Sequence, residues 1–204
     1  MLKRSTLLAG LVGAALFSTS LLAGGETTKA DRDTLVAHLN KTQDAFLKSI
    51  EGVSEAQWTW KSAPDRWSVA ETAEHITKAE DLLRGMVEGM MKTPATPELL
   101  AKTKGKEAMI LKVIPDRTQK FQAPEPLQPK GSFASKAALI EAFKAARAKT
   151  LAIATGPADL RAFGGSLPNG EVDAYQAVLF LSAHTERHTK QIDEVKATAG
   201  YPAK

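Results

Sequence analysis

Asp173-Ala-Tyr-Gln-Ala-Val178-Leu-Phe-Leu181-Ser-Ala-His184-Thr-Glu-Arg-His188-Thr-Lys-Gln-Ile192-Asp-Glu-Val195-Lys-Ala-Thr-Ala199 is the stretch from which the fold is read. Ala174, Ala177, Val178, Leu181, Ile192 and Val195 recur with the spacing of one face of an amphipathic helix, which predicts a helix over about 173–199. His184 and His188 continue that stripe, so two imidazoles stand where leucines are expected. Residues four apart are neighbours on a helix face, close enough to share a metal.

Upstream, Leu35, Leu39, Thr42, Phe46, Ile50 and Val53 trace a similar stripe, predicting a first helix over about 31–53 that Gly52 and Ser54 end. Trp58, Trp60, Pro64, Asp65, Arg66 and Trp67 follow as an aromatic-rich connection whose tryptophans are read as packing under the turn. Ser68 and Glu71 have the spacing of a capping box, so the second helix begins at Val69. It runs through Thr72, Ile76, Ala79, Leu82, Leu83, Met86 and Met90 until Pro94 stops it. Six of the ten prolines fall within 94–129, which reads as a long crossover with one short helix near 97–111. A further helix is predicted over about 135–155, with Leu139, Ile140, Phe143, Ala146 and Leu151 inward and Gly156-Pro157 closing it. Gly164, Gly165 and Gly170 are turn residues, because no Lys-Ser or Lys-Thr follows them as in a phosphate loop. The fold class is therefore all-α: four long helices and one long connection describe a four-helix bundle, an architecture that builds metal sites from inward-facing side chains.

Composition narrows the chemistry. At 204 residues the chain is sized for one domain, and 43% hydrophobic with 25% charged residues is ordinary for a globular protein. Without cysteine there is no disulfide, thiolate metal site or cysteine nucleophile. The basic excess is small, 27 Lys and Arg against 23 Asp and Glu, and Lys102, Lys104 and Lys106 form a cluster with no interleaved aromatics. No nucleic-acid partner is expected; the expected partner is a small-molecule substrate, with a homodimer left open. At the N-terminus, Lys3 and Arg4 precede an uncharged apolar run over 7–23, which reads as a signal peptide over 1–25, cleaved there or as late as residue 30. That reading predicts an exported, periplasmic or extracytoplasmic protein without stable membrane insertion after cleavage; the runner-up is a retained N-terminal anchor. The working domain is then 31–202.

His75 lies on the second helix's stripe, one turn before Ala79. Burying three imidazoles without partners is unfavourable, and one shared divalent metal would satisfy His75, His184 and His188 together. Three neutral nitrogen ligands leave a coordination position open, as in catalytic zinc sites, and suit zinc, nickel, copper or iron. His38 falls to the side of its helix's stripe, at an exposed or edge position. Glu186 is two residues after His184, not directly after it as in a zincin helix, and points away. Glu71, one turn before His75, is the candidate catalytic base or extra ligand, although its capping role competes.

The segment Trp67-Ser68-Val-Ala-Glu71-Thr-Ala-Glu-His75-Ile76, followed far downstream by His184-Thr-Glu-Arg187-His188-Thr-Lys-Gln191-Ile192, resembles the DinB-like family, also called the YfiT or DinB_2 type. The similarity extends over about 31–202. The resemblance implies an up-down-down-up four-helix bundle with the long crossover between helices two and three. It also implies a metal held by His75, His184 and His188, often zinc or nickel. Relatives include thiol-dependent transferases and isomerases as well as proteins called hydrolases by inference. The function expected is a hydrolase-like enzyme whose metal activates water, with thiol-dependent S-transfer or a non-catalytic metal-binding, stress-related module as alternatives.

Overall fold

The computed structural model describes residues 26–168 and 170–203. It is mostly helical: α1 Lys29–Ile50, α2 Glu55–Thr59, α3 Val69–Met90, α4 Pro97–Thr103, α5 Glu107–Val113, α6 Lys136–Thr155 and α7 Ala174–Ala197. The expectation of an all-helical chain is met except for one antiparallel hairpin, β1 Gly164–Leu167 with β2 Gly170–Asp173, in which Gly164 pairs with Asp173 and Leu167 with Gly170.

The helix starts follow from local chemistry. Ser68 accepts from the Glu71 N–H while the Glu71 carboxylate accepts from the Ser68 N–H, so α3 begins at Val69 as its capping box predicts. α1 begins two residues before the expected Asp31, because Thr28 and Asp31 form another such box. It ends at Ile50 rather than near Val53, where Glu51 turns extended and Gly52 takes a φ of 64°. The connection after it is not wholly irregular: Ser54 and Gln57 cap the short α2, which buries Trp58. The crossover holds two short helices instead of one, split at Gly105, whose φ of 71° suits glycine and ends α4. A close approach also explains Gly164: a Cβ there would lie 2.5 Å from Leu99 Cδ2 and 2.9 Å from the Val172 carbonyl oxygen.

Each of α6 and α7 packs against both α1 and α3, while α5 lies on α7 and α4 on the hairpin. The core is in two apolar clusters. One gathers Leu35, Leu39, Leu83, Val87, Val178 and Leu181; the other gathers Phe46, Ile50, Val69, Ile76, Phe143 and Ile192. Between them lies a polar layer that no periodicity marked. Arg147 and Glu80 are both 0% exposed and pair through two bonds of 2.8 Å. Arg147 also donates to the Leu39 carbonyl, to Thr42 Oγ1 (2.9 Å) and to Thr185 Oγ1 (3.0 Å), and Thr150 Oγ1 donates to Glu80 (2.9 Å). A buried ion pair needs this degree of hydrogen bonding to offset its desolvation, and here the bonds tie all four long helices together. α3 is buried on more than its apolar stripe, with Glu74, Thr77 and Glu80 covered, whereas Leu82, expected inward, is 41% exposed.

The signal peptide expected from the N-terminus is corrected to a stretch for which the described residues give no support. Residues 1–25 lie outside the described residues, and no described helix is long and apolar enough to cross a membrane. The export reading is carried no further.

Candidate metal centre

His75 on α3 meets His184 and His188 on α7, although 109 and 113 residues separate it from them. The contact follows from the stripes: α3 and α7 pack face to face, and the three imidazoles lie on the meeting faces. His75 Nε2 stands 3.3 Å from His184 Nε2 and 3.1 Å from His188 Nε2. A tetrahedral ion with nitrogen ligands at about 2.0–2.1 Å would hold them about 3.3 Å apart, so the spacing suits one cation. These three residues could hold a metal ion, and no other group of three or more potential ligands is found among the described residues.

The far side of each ring decides what its Nε2 can offer. His75 Nδ1 is 2.9 Å from the Leu127 carbonyl oxygen, which can only accept, so Nδ1 carries the proton and Nε2 a lone pair. His188 Nδ1 is 2.9 Å from Gln191 Oε1, and Arg117 Nη1 donates to the same oxygen at 3.0 Å, which fixes it as an acceptor. Two of the three Nε2 atoms are thereby set as lone-pair ligands. Outer partners of this kind orient ligating imidazoles and raise their basicity.

The carbonyl serving His75 is itself held in place. Glu74, buried beside His75, accepts from the Lys130, Gly131 and Ser132 N–H groups and from Ser132 Oγ at 2.7–3.2 Å. Lys78 Nζ donates to the Gln128 carbonyl at 2.7 Å. Three neighbouring positions on α3 therefore grip the crossover at 127–132.

Electrostatics keeps the imidazoles neutral. Burial lowers the His75 pKa below its ordinary value and Lys78 adds to this, while the Leu127 carbonyl opposes it. His184 is pushed down to about 3, by burial first and then by His75 and Arg187. His188 is held well below its ordinary value by burial, His184 and His75, against the pull of Gln191. Neutral imidazole is the form that binds a metal, so no proton need leave at neutral pH.

The other sequence candidates are placed elsewhere. Glu71 has one carboxylate oxygen on the Ser68 N–H (2.8 Å) and the other on Lys61 Nζ (2.9 Å), and it does not join the histidine group. Glu186 pairs with Lys190 (2.8 Å). His38 is at the edge, half-buried, its Nδ1 2.8 Å from Ser182 Oγ. Two aromatic rings flank the triad: Trp67 lies 5.0 Å from the His75 ring, and Phe180 stacks on His184 at 6.5 Å. Sequence reasoning assigned no role to Glu74, Leu127, Gln191 or Arg117. Of these, only Gln191 carried a signal, three residues after His188 and therefore on the same helix face.

Comparison with known proteins is consistent with this architecture. The family model described as the DinB superfamily matches residues 38–192, a span containing all three histidines. The chain is 26% identical over 160 residues to the uncharacterized protein YuaE of Bacillus subtilis (strain 168), covering 77% of this chain and 94% of that protein. No solved structure matches.

Proposed function

The chain belongs to the DinB superfamily, and on that premise we propose that it binds one divalent metal, zinc or nickel, through His75, His184 and His188 and uses it in a hydrolase-like reaction. The placement of His75 Nε2 at 3.3 Å from His184 Nε2 and 3.1 Å from His188 Nε2 carries the reading, because the His75 and His188 Nε2 atoms are set as lone-pair donors by acceptors behind the rings. Bound there, the ion would supply Lewis acidity for polarising a carbonyl or phosphoryl group and activating water. The chain's own residues hold the geometry: the Leu127 carbonyl orients His75, Gln191 orients His188, and Trp67 and Phe180 pack against the His75 and His184 rings. Glu71 is a poor base in this arrangement, since both its oxygens are already hydrogen-bonded. We also propose that α1, α3, α6 and α7 form the up-down-down-up bundle that the resemblance implies.

The test is turnover by metal-loaded protein on activated esters, amides and phosphoesters, with and without an added small thiol, against a His75→Ala control. Turnover without thiol supports hydrolysis. Turnover only with thiol replaces it by thiol transfer, and no turnover above the control leaves metal binding without hydrolysis and removes the enzymatic part of the reading.

A further inference from the structure

We propose that the apolar groove beside His184 binds an uncharged aliphatic or aromatic arm of the substrate whose reacting group lies at the histidine triad. The inference rests on the metal reading and adds a substrate class to it. Four large hydrophobic residues stand out as exposed among the described residues, and three of them line one cavity of about 270 Å³: Met109 at 50%, Val113 at 53% and Phe121 at 74%. Single exposed apolar side chains are common, but three on one concave surface mark a binding site.

Phe180 joins this groove to the triad. It lines the cavity, and its ring stacks on His184 with an interplanar angle of 19°. An arm lying along Phe180 would therefore extend from a head group at the histidines. The groove is also preformed. Arg187, next to His188, donates to the carbonyls of Ile114, Asp116 and Gln119 and lies 5.4 Å over the Phe121 ring, holding the 114–121 wall against α7. Charge at the rim is sparse: the Glu171 carboxylate meets Lys102 at 3.1 Å, and Lys106 Nζ donates to the Glu171 carbonyl at 2.7 Å. Among the lining residues only Lys106 and Glu171 are charged and the rest of the wall is apolar or glycine, which favours an uncharged arm.

The experiment is calorimetric binding of n-alkyl hydroxamates, from acetohydroxamate to octanohydroxamate, to metal-loaded protein. The hydroxamate engages the metal, and the chain probes the groove. Once the chain reaches Phe180, affinity should rise by up to about fourfold per methylene. In the Met109→Ser/Val113→Ser variant, altered at exposed positions that folding tolerates, that rise should flatten while acetohydroxamate binds as in wild type. Acetohydroxamate binding with no dependence on chain length, or a dependence that survives in the variant, would overturn the groove. A variant that changes oligomeric state and not the chain-length slope would assign the face to a second copy of the chain and overturn it too. Failure of the wild type to take up metal would defeat the underlying metal reading, and the groove with it.

Discussion

Replacing Glu74 with glutamine tests how firmly the crossover holds the histidine centre. Glu74 Oε1 accepts from the Lys130 N–H (2.9 Å), the Ser132 N–H (3.2 Å) and Ser132 Oγ (2.7 Å), and Oε2 accepts from the Gly131 N–H (2.9 Å). A glutamine of the same shape keeps one acceptor oxygen. In its better orientation it retains the three Oε1 bonds as neutral ones and turns an NH₂ group toward the Gly131 N–H. A hydrogen bond to a charged group contributes about 1.5–3 kcal/mol against about 0.5–1.5 for a neutral pair, and the N–H of the exposed Gly131 can turn to water. With three bonds weakened by about 1 kcal/mol each and the fourth lost, the expected loss is about 4–6 kcal/mol. At about 2–4 °C per kcal/mol for a domain of this size, Tm should fall by about 8–24 °C. The loosened loop also carries the Leu127 carbonyl that orients His75, and disturbing such outer partners weakens metal binding about 10–100-fold. Thermal unfolding followed by circular dichroism reads the first effect, and zinc titration against a chromophoric chelator reads the second. Glu71→Gln serves as the comparison, with zinc affinity unchanged because Glu71 engages Ser68 and Lys61 instead. If Glu74→Gln melts within about 1 °C of wild type and binds zinc equally well, the latch has no role in the centre.

Arg147→Met should destabilise the fold by about 3–5 kcal/mol in denaturant titration, because Glu80 is left charged and buried; adding Glu80→Leu should recover much of that loss. The Arg161 hydrogen bond lowers the Asp31 pKa from 3.8 to about 2, so the stability Asp31 contributes is complete above the ordinary aspartate range and lost as pH falls through the folded value. Asp31→Asn should therefore lower Tm at pH 6, and the gap to wild type should narrow toward pH 2.5 (~one pH unit below the ordinary aspartate range). Gly164→Ala should cost about 1–3 kcal/mol, since its Cβ would meet Leu99 Cδ2 at 2.5 Å and the Val172 carbonyl at 2.9 Å; Leu99→Ala should relieve only part of this, because the second contact is backbone.

The long helices were legible because their signals are local. The Ser68 and Glu71 box starts α3 where the spacing says, and the stripe through Val178, Leu181, His184, His188 and Ile192 describes the face of α7 that meets α3. α2 escaped because its five residues are too short for periodicity, although Ser54 and Gln57 repeat the box spacing. The break at Gly105 escaped because prolines drew attention to the crossover while the residue that divides it is a glycine. Arg147 and Glu80, 67 residues apart, look like ordinary surface charges until the helices bring them together. For the site, the side chains that converge were readable from helical position. Their support was not: a backbone carbonyl at Leu127 leaves no mark in sequence, and Glu74 acts only through a loop folded back from residues 130–132. Met109 and Val113 lie one turn apart on α5, but Phe121 lies beyond that helix, so the meeting of all three in one groove appears only in three dimensions.

The most direct measurement is metal content and affinity, by elemental analysis and calorimetry, for wild type and for His75→Ala, His184→Ala, His188→Ala and His38→Ala. Circular dichroism on each would establish that it is folded. The expected result is one divalent ion per chain in wild type and in His38→Ala, whose ring hydrogen-bonds Ser182 outside the triad, and loss of the ion in each of the other three. Wild type that takes up no metal, or a folded His184→Ala that binds it as tightly as wild type, would contradict the account.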